Sequence, residues 1–455
     1  MALDMDGEAV CSMRRNNPHA DVRQLDVNHF LQSSIDGKAG FPRNGDFDVI
    51  FGGPPCQGFS AMNRSPNGAN SKKKNTCVTT QCGAYDFFRP AYAALENVHG
   101  LLNQKEDASS GCSGKKTSVC NVIVAIMLDI GFQVRVYQLN AGAYGVPQCR
   151  NRVFIVGAAP GHILPEIPKP IYASQLPPVI VSGLNARPGA SGFRLSSGWS
   201  APLPELTVND AISDLPPTTD GVPLRRVKYG SKPLTWYQKQ MRGSLTEVTA
   251  HESRVLSALD RLRVRHLPPS SPNLPEPDWR LLPNIRLMEG DIRLKPLPYA
   301  QEGPDRKIQR FTCPTCPKDY HIKVKGKKAP TWKCSLPTDS LIPAGLTHKS
   351  KNNPWRDCYG RVSRHLWFRT ITTGDSLNQQ AGRILHPDQP RILTTRELAR
   401  AQGFPDSWVP EGRISSKTRQ IGNAVPPPLT RAIGFEIRKA HAARPPSPII
   451  IHDVL

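Results

Sequence analysis

The 455-residue sequence lacks features that mark several classes of protein. It has no run of about 18 or more apolar residues, which excludes a membrane-spanning helix. The opening segment MALDMDGEAV lacks the basic and apolar regions of a secretory signal, so we expect a protein that is not secreted. No internal repeat with a period of about 20 to 50 residues is present, which argues against a solenoid or a propeller.

Acidic residues are also scarce, because 37 Asp and Glu face 59 Lys and Arg and leave a formal net charge of +22. A surplus of this size is typical of proteins that bind a polyanion such as nucleic acid. It is equally consistent with a solvated basic surface that binds no partner, and composition alone leaves both interpretations open.

Proline and cysteine add two further exclusions. The 45 prolines are about twice the usual share of roughly 5%, which favours extended and turning chain over a helical bundle. The 11 cysteines are an odd number and are spread unevenly. This pattern predicts a reducing compartment, cytosol or nucleus, where thiols serve chemistry or metal binding.

Hydrophobic patterning divides the chain into regions. Residues 1–159 alternate short strands and helices, the signature of an α/β fold. Residues 160–390 are rich in proline and weakly periodic, which predicts a loop-rich second region, and helical spacing returns over 391–440 before a tail at 441–455. Specific predictions in the first region are strands at 48–51, 89–95, 134–139 and 153–156, and a helix at 122–130 with Asn121 as N-cap and Gly131 as its stop.

The most informative segment is FGGPPCQGFS at 51–60, which directly follows the strand at 48–51. Ligands bind beyond the carboxyl ends of strands in doubly wound sheets, and two glycines followed by two prolines give a stiff loop that a ligand can approach closely. Cys56 on such a loop is a candidate nucleophile. The alternative is a small buried cysteine, which is the commonest fate of a free thiol.

GGPPCQGFS resembles the catalytic motif of DNA cytosine-5 methyltransferases, and further motifs of that family follow in the same order. They are ENV at 96–98, QCRNR at 148–152, the helix from Arg396-Glu397 to the QGFP at 402–405, and QIGNAVPPP at 420–428. The MNR at 62–64, the LPNI at 282–285 and GRILHPDQPRI at 382–392 resemble the eukaryotic maintenance-type subfamily. The resemblance implies a Rossmann-like S-adenosylmethionine-dependent methyltransferase sheet with a loop-rich, proline-rich target-recognition region.

The resemblance also implies catalytic roles that suit the chemistry. Cytosine C5 is a weak nucleophile, so a thiolate of Cys56 adds first at C6. Glu96 is the carboxyl group that assists at N3, and Asn97 holds its loop. Arg150 and Arg152 point the same way from one strand and can bind the base oxygen or steady Glu96, although a solvent-facing basic strand edge is the alternative.

Contacts to DNA and cofactor follow from the same resemblance. Duplex DNA is the implied partner, contacted by Asn63, Arg64 and Gln148 around a flipped base, while the lysines at 72–74 fit either phosphate contact or a solvated loop. The family's first motif, a strand ending in a glycine-rich turn, has no counterpart before Asp4, so we expect an N-terminally incomplete sheet that lacks its first strand. The implied contacts to S-adenosylmethionine are Asp4, Met5, Asp26, Val27, Gly53, Pro54, Asn423 and Val425.

A structural zinc site is predicted in the second region. Cys313, Cys316, Cys334 and His348 supply three thiolates and an imidazole, a set that can complete a tetrahedral site. The gaps are long, so His321 and Cys358 compete as ligands and four unlinked reduced side chains are the alternative. The resemblance to the maintenance-type subfamily also implies a cysteine-rich zinc site at this place in the chain. The lysines at 323, 325, 327 and 328 fit either the DNA backbone or a solvated hairpin.

The sequence as a whole predicts an S-adenosylmethionine-dependent DNA (cytosine-5) methyltransferase, acting at CpG in the nucleus and of maintenance type. Two other hypotheses stay open. The lack of the first cofactor motif suits a DNA-binding remnant without activity, which cofactor binding would exclude. A tRNA-directed relative shares the motifs, but the long second region argues against that compact enzyme. No regulatory protein partner can be named from the sequence.

Overall fold

The structure is a computed structural model that describes part of the chain. It describes residues 1–55, 69–103, 105–106, 117–174, 179–180, 201–219, 221, 226–278, 281–282, 285–288, 291–296, 358–374, 376–377 and 383–443. Several predicted site residues therefore lie outside the described residues, namely Cys56, Asn63, Arg64, Cys313, Cys316, Cys334 and His348. Among the helices that are described, none is long and apolar enough to cross a membrane.

The chain divides into two compact units. Unit 1 contains Met1–Leu206, Ala401–Gly412 and Asn423–Leu455, and unit 2 contains Thr207–Arg400 and Arg413–Gly422. These limits differ from the predicted boundaries at 159/160 and 390/391. The reason at the first boundary is that Ile171 and Tyr172 donate backbone hydrogen bonds to Ala143, which keeps the segment after residue 160 in unit 1.

Unit 1 is an α/β unit. Its strands are β1 Ala2–Asp4, β2 Val22–Gln24, β3 Val49–Gly52, β4 Tyr92–Asn97, β5 Lys105–Glu106, β6 Thr117–Ser118, β7 Gln133–Asn140, β8 Asn151–Ala158 and β9 Val179–Ile180. Its helices are α1 Gly7–Asn16, α2 Val27–Ile35, α3 Ala69–Phe88, α4 Gly100–Asn103, α5 Val119–Asp129, a 3₁₀ turn at Ala141–Tyr144 and α11 Pro427–Ala442. The predicted strand pair at 134–139 and 153–156 is confirmed as β7 and β8.

The main sheet of unit 1 has the order β3-β4-β8-β7-β9. β3 and β4 are parallel, whereas β8 runs antiparallel to both of its neighbours, β4 and β7. β1 and β2 form a separate parallel pair. The predicted Rossmann-like α/β class is confirmed. The parallel arrangement brings the carboxyl ends of β3 and β4 to one edge, as it does for β1 and β2.

Strand β4 is buried over its whole length because helices cover both faces of the sheet. Tyr92 and Ala94 face a core shared with α11, while Ala93 and Leu95 face a core shared with α5. Each large apolar side chain that is fully buried in these cores contributes about 1.5–3 kcal/mol to folding. The site residues at the end of β4 therefore extend from a rigid support.

The cap of helix α5 differs from the prediction. Ser118 is the N-cap, because its hydroxyl accepts a hydrogen bond from the backbone N–H of Asn121. Asn121, the predicted N-cap, lies inside the first turn, since Val119 and Cys120 already belong to the helix. The predicted stop is confirmed: Gly131 follows Ile130 with φ 102°, a conformation that glycine adopts readily.

Unit 2 consists of short elements. Its helices are α6 Val208–Ile212, α7 Trp236–Arg242, α8 Ala258–His266, α9 Thr395–Ala401 and α10 Ile414–Asn423. The last residue of α9 and the last residue of α10 belong to unit 1. Its strand pairs are β10 Val227–Lys228 with β11 Glu247–Val248, and β12 Ile285–Met288 with β13 Asp291–Pro296. One apolar cluster includes Val264, Leu385 and Cys358, which is fully buried.

Candidate active site

The residues of the candidate site meet at the edge where β3 and β4 end. Gly52 ends β3 and leads into Gly53 and Pro54, while Glu96 and Asn97 are the last two residues of β4. β8 is antiparallel to β4, so its first residues lie at the same edge. The sheet thus brings together three of the motifs that the sequence singled out.

The two glycines permit a close approach that a side chain would hinder. A Cβ atom on Gly52 would lie 2.5 Å from Nε2 of Gln81, and one on Gly53 would lie 3.1 Å from Oε2 of Glu96. Gln81 is held by its contact with the hydroxyl of Tyr85. The loop that leads to Cys56 can therefore lie directly against the Glu96 carboxyl group because it has no side chain there.

The supporting role of Gln81 was not predicted from the sequence. Its side chain and the Tyr85 hydroxyl both donate to the backbone carbonyl of Ala94 in β4, at 3.3 and 3.0 Å. The available signal was the four-residue spacing of Gln81 and Tyr85, which places both on one side of a helix.

Glu96 and Arg152 form a buried ion pair. The strand register places Glu96 opposite Phe154, so Arg152, two residues earlier, lies diagonally across on the same face. Nε of Arg152 is 2.8 Å from Oε1 of Glu96. Only 8% of Glu96 and 9% of Arg152 is exposed, so little water screens the pair.

The protonation of Glu96 is set by opposing effects. Burial raises the pKa of the Glu96 carboxyl above its usual value, and the guanidinium groups of Arg152 and Arg150 lower the pKa in part. A carboxyl group with a raised pKa keeps its proton closer to neutral pH, which suits a group that must donate a proton or a hydrogen bond to a base.

Asn97 connects β4 to the loop that follows β3. Its side-chain N–H donates to the carbonyl of Pro54 at 3.4 Å, and its side-chain oxygen accepts from the N–H of Val98 at 2.9 Å. The predicted role of Asn97 in holding the loop has this contact in its favour. The loop continues to Cys56, which lies beyond the last described residue of this stretch.

Arg150 lies in the interior of unit 1, with 1% of its surface exposed. Its Nη2 donates to the backbone carbonyl of Ala424 at 3.2 Å. Because Arg150 and Arg152 are both buried, the alternative of a solvent-facing basic strand edge is wrong.

Gln148 requires a correction. It was predicted to contact DNA, but none of its surface is exposed. Its Nε2 donates to the carbonyl of Ala401 at 2.9 Å and to Oε1 of Gln402 at 2.7 Å. These partners lie more than 250 positions away in sequence, so the prediction from the QCRNR motif at 148–152 could not identify them.

The predicted cofactor residues of the first two strands lie at the carboxyl ends of β1 and β2. Asp4 ends β1, is exposed, and accepts from the N–H of Asp6, and the neighbouring Met5 is 65% exposed. Asp26 follows β2 and caps α2, whose first residue is Val27. Parallel pairing of β1 and β2 therefore places the two carboxyl groups at one edge.

The remaining cofactor and metal predictions have mixed outcomes. Asn423 is exposed, whereas Val425 is half-buried against the core that contains α11. Within the described part of the chain, no group of three or more His, Cys, Asp or Glu side chains is arranged to hold a metal ion. The four predicted zinc ligands lie outside that part, so the zinc site stays a prediction.

The chain is similar in sequence to curated DNA (cytosine-5)-methyltransferases. The chain is 35% identical to DNA (cytosine-5)-methyltransferase 1 of Gallus gallus, over 97% of this chain and 28% of that protein. It is also 35% identical to DNA (cytosine-5)-methyltransferase 1 of Mus musculus, over 96% of this chain and 26% of that protein. The chain thus spans little more than a quarter of the length of these curated relatives.

A solved structure described as a DNA modification methyltransferase encoded within an E. coli prophage shares the fold. It superposes with a TM-score of 0.53 at 17% identity, covering 97% of this chain and 92% of that one. The family model of the C-5 cytosine-specific DNA methylases matches residues 1–439. With the motifs assembled at one edge of an α/β sheet, this match shows that the chain belongs to the C-5 cytosine-specific DNA methylase family.

Proposed function

We propose that this chain transfers a methyl group from S-adenosylmethionine to C5 of cytosine in duplex DNA, at CpG sites and as a maintenance enzyme in the nucleus. The observation that carries the proposal is the buried Glu96–Arg152 pair, which lies directly beneath Gly53 on the loop that leads to Cys56. A carboxyl group beside the loop that leads to a nucleophile suits the activation of a pyrimidine ring from two sides.

The chain's own residues account for the activation of the base. The thiolate of Cys56 forms a bond to C6 as the C5–C6 double bond opens, and the electron pair moves onto C5. Glu96 donates its proton or a hydrogen bond to N3, which accepts the negative charge that develops. Once C5 has used this electron pair to take up the methyl group, its proton leaves to water. The electrons of the C5–H bond form the C5–C6 double bond again, the sulfur departs as thiolate, and N3 returns its proton to Glu96. Arg152 keeps Glu96 in place throughout.

The target cytosine must leave the base stack to reach this site, at a cost of a few kcal/mol. Asn63 and Arg64 follow Cys56 by seven and eight residues. They are proposed to contact the DNA around the position that the flipped cytosine leaves. Unit 2, with the proposed zinc site of Cys313, Cys316, Cys334 and His348, is the proposed target-recognition region. The surplus of 22 positive charges suits contact with phosphate along the duplex.

S-adenosylmethionine fits the residues that are present. The exposed carboxyl group of Asp4 and the helix-capping Asp26 lie at one edge, where they can meet ribose hydroxyls and an adenine amino group. The exposed Met5 side chain offers an apolar surface for the adenine ring. Val27, Gly53, Pro54, Asn423 and Val425 complete the proposed set. When bound, the cofactor supplies an electrophilic methyl group.

Covalent capture tests the proposed reaction. Incubation with S-adenosylmethionine and a duplex that carries 5-fluorocytosine at a hemimethylated CpG is expected to give a covalent protein–DNA adduct, because fluorine at C5 cannot leave as a proton does. Peptide mass spectrometry should place the adduct on Cys56. Cys56→Ser should abolish it, whereas Cys11→Ser, which changes an exposed thiol in the same unit, should not.

The same assay separates the other hypotheses. No adduct from the unmodified chain, combined with retained duplex binding and no cofactor binding by calorimetry, would contradict the proposal and support the DNA-binding remnant. An adduct with a tRNA that carries 5-fluorocytosine but none with the duplex would support the tRNA-directed relative. Equal yields from hemimethylated and unmethylated duplexes would contradict the maintenance assignment alone.

A further inference from the structure

A tight turn follows helix α9 and lies against the start of α11. Gly403, the second residue of this turn, has φ +81°, which glycine adopts without strain. A Cβ atom on Gly403 would lie 2.7 Å from Cδ and 2.8 Å from Cγ of Pro428. The absent side chain therefore allows the turn to pack directly on the proline ring.

The first residue of the turn, Gln402, is fully buried and bonded on both sides of its amide. Its Nε2 donates to the backbone carbonyl of Ala424 at 3.2 Å, and its Oε1 accepts from Nε2 of Gln148 at 2.7 Å. Gln148 in turn donates to the carbonyl of Ala401. A buried amide that loses such partners is costly, so this arrangement resists movement.

The carbonyl of Ala424 receives a second donor, Nη2 of Arg150, also at 3.2 Å. One backbone oxygen thus joins the turn to an arginine that lowers the pKa of Glu96. Ala424 also lies between Asn423 and Val425, the two residues of this segment proposed to contact the cofactor. Any displacement of Ala424 would move the arginine and the cofactor segment together.

We propose that Gln402, held in a turn whose Gly403 packs on Pro428, forms a clamp on the Ala424 carbonyl that positions Arg150 and the segment 423–425 as one body. Gln402 is a positioning residue, since it acts through Arg150 and Ala424. The proposal rests on the proposed function for its catalytic consequence, whereas the mechanical clamp does not. It predicts that binding of the base and binding of the cofactor are coupled through a single carbonyl group.

Gln402→Met tests the clamp, because methionine has a similar length and volume but neither donates nor accepts a strong hydrogen bond. Amide hydrogen exchange over 420–425 and 149–152 is expected to accelerate about tenfold, and S-adenosylhomocysteine should bind about tenfold more weakly in calorimetry. Release of tritium from C5 of cytosine in duplex DNA, which requires thiolate addition but no cofactor, should also slow about tenfold. The rate of tritium release is expected to fall at high pH, where Glu96 loses its proton. In Gln402→Met this fall should occur at a higher pH, because a displaced Arg150 lowers the pKa of Glu96 less.

Gln238→Met is the matched control. Gln238 in unit 2 is fully buried as well, and its Nε2 donates to the hydroxyl of Ser213 at 2.8 Å. This variant should lose comparable stability in urea while the exchange at 420–425, the cofactor affinity and the pH profile stay as in the unmodified chain. Identical behaviour of the two variants in all three measurements would overturn the clamp.

The two proposals fail in different ways. If the unmodified chain releases no tritium, the proposed function fails, and hydrogen exchange still decides the clamp. Faster exchange over 420–425 in Gln402→Met, without a change in Gln238→Met, would then support the clamp. Unchanged exchange over 420–425 in Gln402→Met would overturn it whether or not the chain is active.

Discussion

Glu96→Gln is expected to slow tritium release from C5 of cytosine in duplex DNA by about 100- to 10,000-fold, the usual range for a lost proton donor. Glutamine keeps the length of the side chain and can still accept from Arg152. Glutamine cannot transfer a proton to N3 of cytosine, so the negative charge that develops on the ring after thiolate addition is no longer neutralised. The measurement is the initial rate of tritium release at saturating DNA, compared with DNA binding by the same variant.

The pH dependence gives this prediction a second readout. The pKa of Glu96 is raised by burial and lowered in part by Arg152 and Arg150. If the protonated form is active, the rate falls as pH rises through this pKa. Glu96→Gln should remove that decline. Arg152→Met should move it to higher pH, because a charge that lowers the pKa is gone.

A matched variant tests whether the effect is specific to the site. Glu436 is also a buried carboxyl group of unit 1, and it pairs with Lys439 on α11. Glu436→Gln should therefore change the rate little. If Glu96→Gln kept the rate and the pH profile of the unmodified chain, Glu96 would not be the proton donor.

Asp214→Ala is expected to destabilise unit 2 by about 3–5 kcal/mol, the usual cost of leaving a buried charge without its partner. Asp214 and Arg400 are both fully buried and form an ion pair. Nη1 of Arg400 also donates to the carbonyl of Ala211 at 2.8 Å. Without the carboxylate the guanidinium group would keep its charge in the interior, since arginine does not lose its proton there.

This effect is measured by unfolding the protein in urea and monitoring the hydrogen exchange of unit 2. The double variant Asp214→Leu with Arg400→Met should be less destabilised than Asp214→Ala, because neither charge of this pair is then buried alone. Arg242, which also pairs with Asp214 at 3.2 Å, loses its partner in both variants and so does not affect the comparison. Arg369→Met, which disrupts an ion pair with Glu276 whose arginine side chain is 45% exposed, should cost at most about 1 kcal/mol. Equal losses for Asp214→Ala and Arg369→Met would contradict the argument.

Much of unit 1 could be predicted from local sequence. The runs at 134–139 and 153–156 alternate or are continuously apolar, and the structure pairs them as β7 and β8. The glycines before Cys56 predict that a ligand can approach the loop closely, and the structure places Gly53 against Glu96 as well. These features depend on neighbouring residues, whose preferences are visible in a short stretch of chain.

The remaining features depend on partners that are distant in sequence. Arg400 meets Asp214 across 186 positions, and Gln148 meets Gln402 across 254. Nothing in the neighbouring sequence indicates these partners, and the assignment of Gln148 to DNA follows from the family resemblance alone. The cap at Ser118 was missed for a smaller reason: Asn121 is the polar residue nearest the apolar run, but the helix starts a turn earlier.

The division of the chain limits how unit 2, the proposed target-recognition region, can be exchanged between relatives. The chain passes between the units after residues 206, 400, 412 and 422. Helix α10 belongs mainly to unit 2, where Lys417 pairs with Glu252 and a Cβ on Gly422 would lie 2.5 Å from the carbonyl of Thr372. A graft of 207–400 from a relative would therefore leave α10 facing foreign residues. If unit 2 is the target-recognition region, as proposed, its exchange between relatives requires two inserts that change together.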